Sequence, residues 1–267
     1  MTLSWPAARH IYLSPHLDDA VLSCGGLIYR QAAAGETVVV ITVFAASPPP
    51  DHALSPFAAR LHARWAASLQ AEGAALTDPP AVRRAEDLAA FQALHPAVQV
   101  RHHTLPDCIY RTHPAEGWPL YASETAIFGE VHPNDPALDE LALAPPLPPD
   151  ARLYVPLGVG HHVDHQIVRR SADGWGIPAA QIAYYEEYPY AASPGAVQAV
   201  ITQDPGLRPL VIALDQAAIR ARLRAIARHT SQINTFWHSI PAMEQTITRY
   251  INAVGGERLW VRQPING

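Results

Sequence analysis

Short apolar runs alternate with amphipathic segments along most of the chain. The run His10–Ser14 is apolar, and residues 37–44 are β-branched and almost continuously apolar, as in strands buried on both faces of a parallel sheet. Between them, apolar residues recur at helical spacing up to Gly35. This order predicts a strand, a helix and a second strand, which is a βαβ unit at the start of the fold.

The alternation continues to the end of the chain. Further helices are predicted over residues 56–72, 82–94, 162–175, 216–229 and 241–253, with a short one within 123–131. Further strands are predicted over residues 98–103, 152–156, 182–186, 210–214 and 258–262. Residues 56–72 are equally compatible with a mobile insertion, and proline makes residues 105–149 irregular.

The pattern predicts one α/β domain over residues 1–267, with a Rossmann-like, open, mostly parallel sheet and helices on both faces. Residues from about 180 to 267 are expected to complete one sheet edge and part of a pocket wall.

Composition narrows the classes of partner. The chain has 24 acidic residues and 19 arginines, no lysine, and a net charge of −5, so nothing favours a nucleic-acid or anionic-membrane partner. No stretch reaches the roughly 18 apolar residues that a membrane span needs, and residues 1–9 do not resemble an export signal. Two cysteines, Cys24 and Cys108, are too few for a disulfide framework. We expect a cytoplasmic protein that acts on small molecules, as a monomer or a homo-oligomer.

The first cluster of chemically active residues follows the first predicted strand. It reads Pro15-His16-Leu17-Asp18-Asp19 and lies where open α/β sheets gather ligand-binding groups. One histidine and two adjacent carboxylates offer two metal ligands and one spare acid for proton transfer. The alternative is that Asp18 or Asp19 only caps the helix and that His16 is a loop residue.

The second cluster follows the predicted strand Arg152–Pro156. It contains His162, Asp164 and His165, and histidines three apart in the first turn of a helix share one face. The alternative is a histidine-rich surface turn in a chain with 14 histidines. Because the carboxyl ends of parallel strands lie at one edge of a sheet, the two clusters are expected to meet.

Together the clusters predict a catalytic zinc site. His16, Asp19 and His165 would give three protein ligands and leave a fourth position for water, which is typical of catalytic zinc. Zinc lowers the pKa of bound water toward about 7, so such a site can attack an amide at neutral pH. Asp18 is expected to move the proton from water to the amine, and His162 to stabilise the oxyanion. Asp164 is expected to orient His162.

These residues resemble the LmbE-like, or PIG-L, deacetylases. The family shares an (A/P)-H-x-D-D motif after its first strand and a later H-x-D-H motif, found here at residues 15–19 and 162–165. Further similar segments are Arg83-Arg84-Ala85-Glu86, residues 105–107 and 185–190, and Ser231-Gln232. The resemblance therefore extends over most of the chain.

The resemblance implies a zinc hydrolase of N-acetylglucosaminyl compounds, with His16, Asp19 and His165 as ligands and Asp18 as acid and base. Fe²⁺ or another divalent ion could occupy the same ligands. Arg83, or its neighbour Arg84, resembles the family's substrate-binding arginine.

One position departs from the family. Some members carry a tyrosine where this chain has Gly160, so a tyrosine contact to the oxyanion would come from elsewhere, with Tyr110 and Tyr188 as candidates.

The sequence is also compatible with two rival functions. One is a zinc amidase that cleaves a larger amide of a thiol conjugate, and the other is a non-catalytic sugar-binding protein of the same fold. An intact Asp18 argues against the second, because sugar binding needs no spare base.

Overall fold

The computed structural model describes residues 4–70 and 78–262. Within them the strands are β1 His10–Ser14, β2 Val38–Thr42, β3 Gln99–His102, β4 Arg152–Pro156, β5 Ile182–Tyr185, β6 Leu207–Ile212 and β7 Glu257–Arg262. The helices are α1 Asp19–Ala33, α2 Pro56–Gln70, α3 Pro79–Leu94, α4 Glu124–Ile127, α5 Pro136–Glu140, α6 Val163–Gly174, α7 Ala196–Gln203, α8 Gln216–Ile226, α9 Thr230–Phe236 and α10 Ile240–Val254. No helix in these ranges is both long and apolar enough to cross a bilayer.

The strands of the described chain form one seven-stranded sheet in the order β3-β2-β1-β4-β5-β7-β6. The first five are mutually parallel, whereas β7 runs antiparallel to both β5 and β6. The expected α/β fold with a mostly parallel sheet is thus confirmed. Residues after 180 supply β5, β6 and β7 at one edge of that sheet.

Helices cover both faces of the sheet, as the strand pattern requires. Successive side chains of a strand point to opposite faces. In β1, Tyr12 packs into a core shared with α1, α3, α8 and α10, whereas Ile11 and Leu13 pack into a core shared with α5, α6 and α7. Because both faces are buried, β1 and β2 are fully buried along their lengths, which explains their continuous apolar sequences.

Several predicted boundaries differ from the structure. The helix expected over residues 56–72 is present to Gln70, and its last two residues lie outside the described ranges. The helix expected over residues 216–229 ends at Ile226, and a separate helix, α9, begins at Thr230. Only one turn, Glu124–Ile127, forms within residues 123–131. Helices α5 and α7 are short and have little sequence periodicity, and both were missed.

A buried ion pair fastens α1 to the C-terminal part of the fold. Glu257 on β7 accepts hydrogen bonds from the N–H groups of Gly26 and Leu27 at 2.8 Å each. Its Oε1 lies 3.1 Å from Nη1 of Arg222 on α8, and Arg222 also donates to the carbonyl of Leu22. Burial raises the pKa of Glu257, and Arg222 opposes that shift. Glycine is needed here, since a Cβ on Gly26 would lie 2.9 Å from Glu257 Oε1.

We predict that Arg222→Met lowers the free energy of unfolding by about 3–5 kcal/mol, because it leaves the Glu257 carboxylate buried without its cation. Urea denaturation would measure the loss. Arg224→Met on the exposed side of the same helix is the matched control and should change stability by less than about 0.5 kcal/mol. Equal effects of the two substitutions would contradict the assigned role of Arg222.

Candidate active site

The two histidine-containing clusters follow β1 and β4, which are hydrogen-bonded neighbours in the sheet. His10 of β1 is paired with Arg152 of β4, so both strands end at the same edge. The connection order also reverses here, because β2 and β3 lie on one side and β5 on the other. This is the switch point at which open α/β sheets bind ligands.

The turn after β1 fixes Asp19 and leaves Asp18 available. The Ser14 hydroxyl donates to the carbonyl of His16 at 2.6 Å and accepts from Ala20 N–H at 3.0 Å. Asp19 Oδ2 accepts from the His16 backbone N–H at 2.8 Å. Asp18 occupies the N-cap position of α1, yet its side chain makes no capping hydrogen bond. The alternative of a purely capping Asp18 is therefore not supported by the geometry.

The loop after β4 is organised around a buried carboxylate. Glu187, which is fully buried, accepts hydrogen bonds from the N–H groups of Leu157, Gly158 and Val159 at 3.1, 2.7 and 3.1 Å. Its Oε1 also lies 3.2 Å from Nδ1 of His165. Glu187 thus holds both the loop that precedes α6 and the ring of a predicted metal ligand.

Three predicted ligands converge on one point. Nδ1 of His16 and Nε2 of His165 each lie 3.2 Å from Oδ2 of Asp19, and the two ring centroids are 5.3 Å apart. In a tetrahedral zinc site with bonds near 2.0–2.1 Å, two ligand atoms lie about 3.3 Å apart. The two distances to Asp19 therefore fit a divalent ion, and His16 and His165 also form, with His162, a group whose donor atoms lie within 4.8 Å of one another.

The opposite nitrogens of the same rings are held by carboxylates. His16 Nε2 lies 2.8 Å from Asp164 Oδ2, and His165 Nδ1 faces Glu187. Metal-binding histidines are usually oriented in this way. The Nε2 atom of His165 is buried without a hydrogen-bond partner among the described residues, and it is the atom directed at Asp19. An unpartnered buried nitrogen beside a carboxylate is the arrangement that a bound cation would satisfy.

The titration behaviour of these groups reflects their mutual attraction. Burial alone would lower the pKa of His165, but Asp19 and Glu187 outweigh it and raise that pKa to about 9. Burial would raise the pKa of Asp19, yet His165 and His16 hold it well below its usual value. The pocket therefore keeps Asp19 as a carboxylate, which is the form that binds a metal.

Asp18 lies beside these residues, and its pKa is shifted in the opposite direction from that of Asp19. Burial raises the pKa of Asp18 to about 6, although Arg83, whose Nη2 lies 3.5 Å from Asp18 Oδ1, opposes the shift. A carboxyl group with a pKa close to neutral can both accept and return a proton. The two adjacent aspartates thus differ in chemistry because their surroundings differ.

His162 is the N-cap residue of α6 and is buried in its neutral form. Burial, followed by the effect of His16, holds the pKa of His162 well below its usual value. Its Nδ1 accepts the backbone N–H of Asp164 at 3.3 Å, so the ring proton is on Nε2. Nε2 lies 4.0 Å from Sγ of Cys108. The ring can donate a hydrogen bond from Nε2.

The structure corrects the expected partner of Asp164. Its carboxylate was predicted to orient His162, but it contacts Nε2 of His16 at 2.8 Å and Nη2 of Arg111 at 2.5 Å. The hydrogen bond between Asp164 and His162 is made by the backbone N–H of Asp164. The reason is that α6 turns the Asp164 side chain toward β1, where Arg111, itself paired with Asp135, stabilises the negative charge.

Arg83 and Arg84 have different environments. Arg83 is buried, its guanidinium lies 4.9 Å from the centroid of the Trp65 ring, and it lines the same cavity as Asp18. Arg84 instead donates hydrogen bonds to the Ala45 carbonyl and the Ser47 hydroxyl. Of the two arginines considered from the sequence, Arg83 is the one at the site.

A cavity of about 540 Å³ opens over the predicted catalytic residues. One end is formed by His16, Asp18, Asp19, Asp107 and His162, and the walls come from α2, α4, α9 and the residues around Tyr190. Its size suits a sugar and part of an attached group. Gln232 and Phe236 show that the C-terminal third contributes to the wall.

A tyrosine ring occupies the space beside Gly160. A Cβ on Gly160 would lie 2.4 Å from Cγ of Tyr190, and the residue has φ of +87°, so glycine is required on both counts. Tyr190 lines the cavity, and its hydroxyl has no hydrogen-bond partner within residues 4–70 and 78–262. Neither sequence candidate lines this cavity: Tyr110 hydrogen-bonds to His62, and Tyr188 stacks on Trp237.

Comparison with known proteins agrees with this geometry. A family model described as GlcNAc-PI de-N-acetylase, PIG-L, matches residues 11–174, which include both motifs. The chain belongs to the PIG-L family. The predicted resemblance is thereby confirmed.

Individual relatives of this PIG-L chain include deacetylases. It is 30% identical over 191 residues to a 2'-N-acetylparomamine deacetylase of Niallia circulans; the alignment covers 67% of this chain and 66% of that protein. The zinc-inhibited form of the teicoplanin deacetylase Orf2 superposes with a TM-score of 0.71 at 27% identity, covering 96% of this chain and 99% of the other. The A40926 pseudoaglycone deacetylase Dbv21 gives a TM-score of 0.63 at 28% identity, with coverages of 96% and 97%.

We predict that His165→Ala lowers the bound divalent metal of this PIG-L protein at least about tenfold, because one of three donors is removed. Elemental analysis after dialysis would measure it. His161→Ala is the matched control, since the adjacent His161 ring is exposed and points away from Asp19, toward Glu130. Unchanged metal content in His165→Ala would refute its assignment as a ligand.

Proposed function

We propose that this protein is a zinc-dependent hydrolase that removes the acetyl group from an N-acetylglucosaminyl compound. The observation that carries the proposal is the convergence of His16, Asp19 and His165 at one end of a cavity, with Asp18 beside them. Fe²⁺ or another divalent ion would suit the same donors, so the choice of zinc is part of the proposal.

Family membership and the relatives support N-deacetylation as the reaction. The matching family is described as a de-N-acetylase of GlcNAc-PI. The two solved structures compared above, Orf2 and Dbv21, are named as deacetylases. The cavity is large enough for a sugar ring, and both polar and apolar side chains line it. A small N-acetylated glycoside is therefore the class of substrate we assign.

The proposed ligands are His16, Asp19 and His165. A divalent ion held by them would supply Lewis acidity, which polarises the acyl oxygen and makes water easier to deprotonate. Asp164 and Glu187 keep the two imidazoles oriented with their other nitrogens directed toward the site.

Asp18 is proposed to carry the proton. The water oxygen forms a bond to the acetyl carbon as Asp18 accepts the proton, and Asp18 then passes it to the nitrogen as the C–N bond breaks. The products are acetate and a free amine. His162 donates its Nε2 hydrogen to the oxygen that becomes negative, which is consistent with its neutral ring.

Arg83 is proposed to have two roles. It lines the cavity and can bind a substrate oxygen, and its Nη2 faces Asp18 at 3.5 Å. Stacking on Trp65 limits its freedom, so little side-chain entropy is lost on binding.

Acetate release from N-acetylglucosaminides, measured with and without a chelator, tests the proposal. We expect release that stops when metal is removed and returns on adding zinc. Faster cleavage of bulkier acyl groups than of acetyl would favour an amidase, and sugar binding without any acyl release would favour a non-catalytic protein. Cytoplasmic location, a single domain and the oligomeric state stay predictions from the sequence.

We predict that Asp18→Asn reduces kcat at least about 10²-fold while bound metal stays within about twofold, because proton transfer is lost but the proposed ligands are intact. Acetate release and metal analysis on the same preparation would show it. Asp150→Asn, at an exposed position before β4, is the control and should retain normal turnover. Normal turnover of Asp18→Asn would remove Asp18 from the mechanism.

A further inference from the structure

One face of α2 forms a long wall of the catalytic cavity. The helix begins after Ser55, whose hydroxyl accepts the Ala58 N–H at 3.1 Å, and Pro56 is its first residue. Phe57, Leu61 and Trp65 recur at four-residue intervals and line the cavity. The wall is apolar along this line, and it also carries charge. Two arginines on the same face line the cavity as well, Arg60 and Arg64.

Neither arginine is paired with an acidic group in the part of the chain that the structure describes. Both are exposed, and within residues 4–70 and 78–262 neither guanidinium makes an ion pair or a hydrogen bond. The Arg60 guanidinium lies 5.7 Å from the centroid of the Phe57 ring, so it extends along the wall. Helix α2 contains no aspartate or glutamate that could pair with them.

Most of the other charged groups of the cavity are engaged with one another or with the catalytic residues. Arg83 faces Asp18 and stacks on Trp65, and Asp107 lies 3.8 Å from His16 at the catalytic end. The remaining acidic lining residue, Glu124, belongs to α4 and makes no ion pair with α2 among the described residues. Two guanidinium groups without a counterion among the described residues therefore remain on the α2 wall.

We propose that Arg60 and Arg64 form an anion-binding subsite that selects glycosides whose aglycone carries a carboxylate or a phosphate. The inference rests on the proposed function, since it concerns the group attached to the sugar in the same cavity. A guanidinium binds either oxyanion through paired hydrogen bonds, and its planar group of donors matches the geometry of both. The same charges disfavour a cationic aglycone, such as that of an aminoglycoside.

Two exposed arginines four residues apart on a helix do not by themselves indicate an anion-binding subsite. Arg220 and Arg224 on α8 are also four residues apart and exposed, but they do not line the cavity. What distinguishes the α2 pair is its position on the wall of the catalytic cavity. The α8 pair therefore provides a matched control, with the same substitutions at the same spacing on a helix surface.

Four N-acetylglucosaminides that differ only in one aglycone group provide the test. The phenyl aglycone carries a 4-methyl, 4-carboxylate, 4-phosphonate or 4-aminomethyl group, and kcat/KM is measured for each. For the wild-type chain we expect at least about tenfold preference for one or both anionic compounds over the neutral one, as two ion pairs acting together would give. The order of the carboxylate and phosphonate shows which oxyanion the subsite prefers. The cationic compound should be the poorest, and salt should reduce these differences.

The readout for the variants is the ratio of anionic to neutral kcat/KM, which does not depend on how much folded protein is present. In Arg60→Gln/Arg64→Gln the ratio should fall to about 1. In Arg220→Gln/Arg224→Gln it should equal the wild-type ratio. No anionic preference in the wild type, or a preference that survives in the α2 double variant, would overturn the subsite.

Binding of the same compounds to Asp18→Asn, measured by calorimetry, separates this inference from the proposed function. Absence of acetate release from all four glycosides by the wild type would contradict the deacetylase proposal only. The subsite would still be supported by at least about tenfold tighter binding of an anionic compound that disappears when Arg60→Gln/Arg64→Gln is added. Equal binding of neutral and anionic compounds would reject it.

Discussion

The carboxylate of Asp19 is the junction on which the rest of the site depends. One oxygen of this side chain lies 3.2 Å from a nitrogen of His16 and 3.2 Å from a nitrogen of His165, residues that are far apart in sequence. They meet because β1 and β4 are parallel neighbours at the point where the strand order reverses. The geometry of the candidate site is thus a direct consequence of sheet topology.

Buried carboxylates orient the two histidines at this junction. Other parts of the fold stabilise the charges of these carboxylates. A buried charge is costly unless it is paired and hydrogen-bonded. Asp164 is paired with Arg111, and Glu187 accepts three backbone N–H groups, so each can remain charged while orienting an imidazole. Farther from the site, Arg222 and Glu257 fasten α1, which begins at Asp19. The proposed specificity for the aglycone comes from the wall of the cavity that α2 forms.

Local sequence patterns predicted β1 and β4, because each is a continuous apolar run. They also predicted the two motifs, because each motif is a polar turn that directly follows such a run. They did not predict Glu187 as the support of His165, or Tyr190 beside Gly160, because those contacts join segments about 20–30 residues apart through tertiary packing. The expected partner of Asp164 was wrong because its observed partners, His16 and Arg111, are 148 and 53 residues away in sequence. Gly160 was the available signal for Tyr190, since a glycine leaves room for a neighbouring side chain.

The most direct test is a crystal structure of the zinc-loaded protein with anomalous diffraction recorded at the zinc edge. The account predicts one strong peak about 2.0–2.2 Å from Nδ1 of His16, a carboxylate oxygen of Asp19 and Nε2 of His165, with Asp18 near the ion but not bound to it. A peak bound instead by Cys108 and His162, or zinc absent from this end of the cavity, would contradict it.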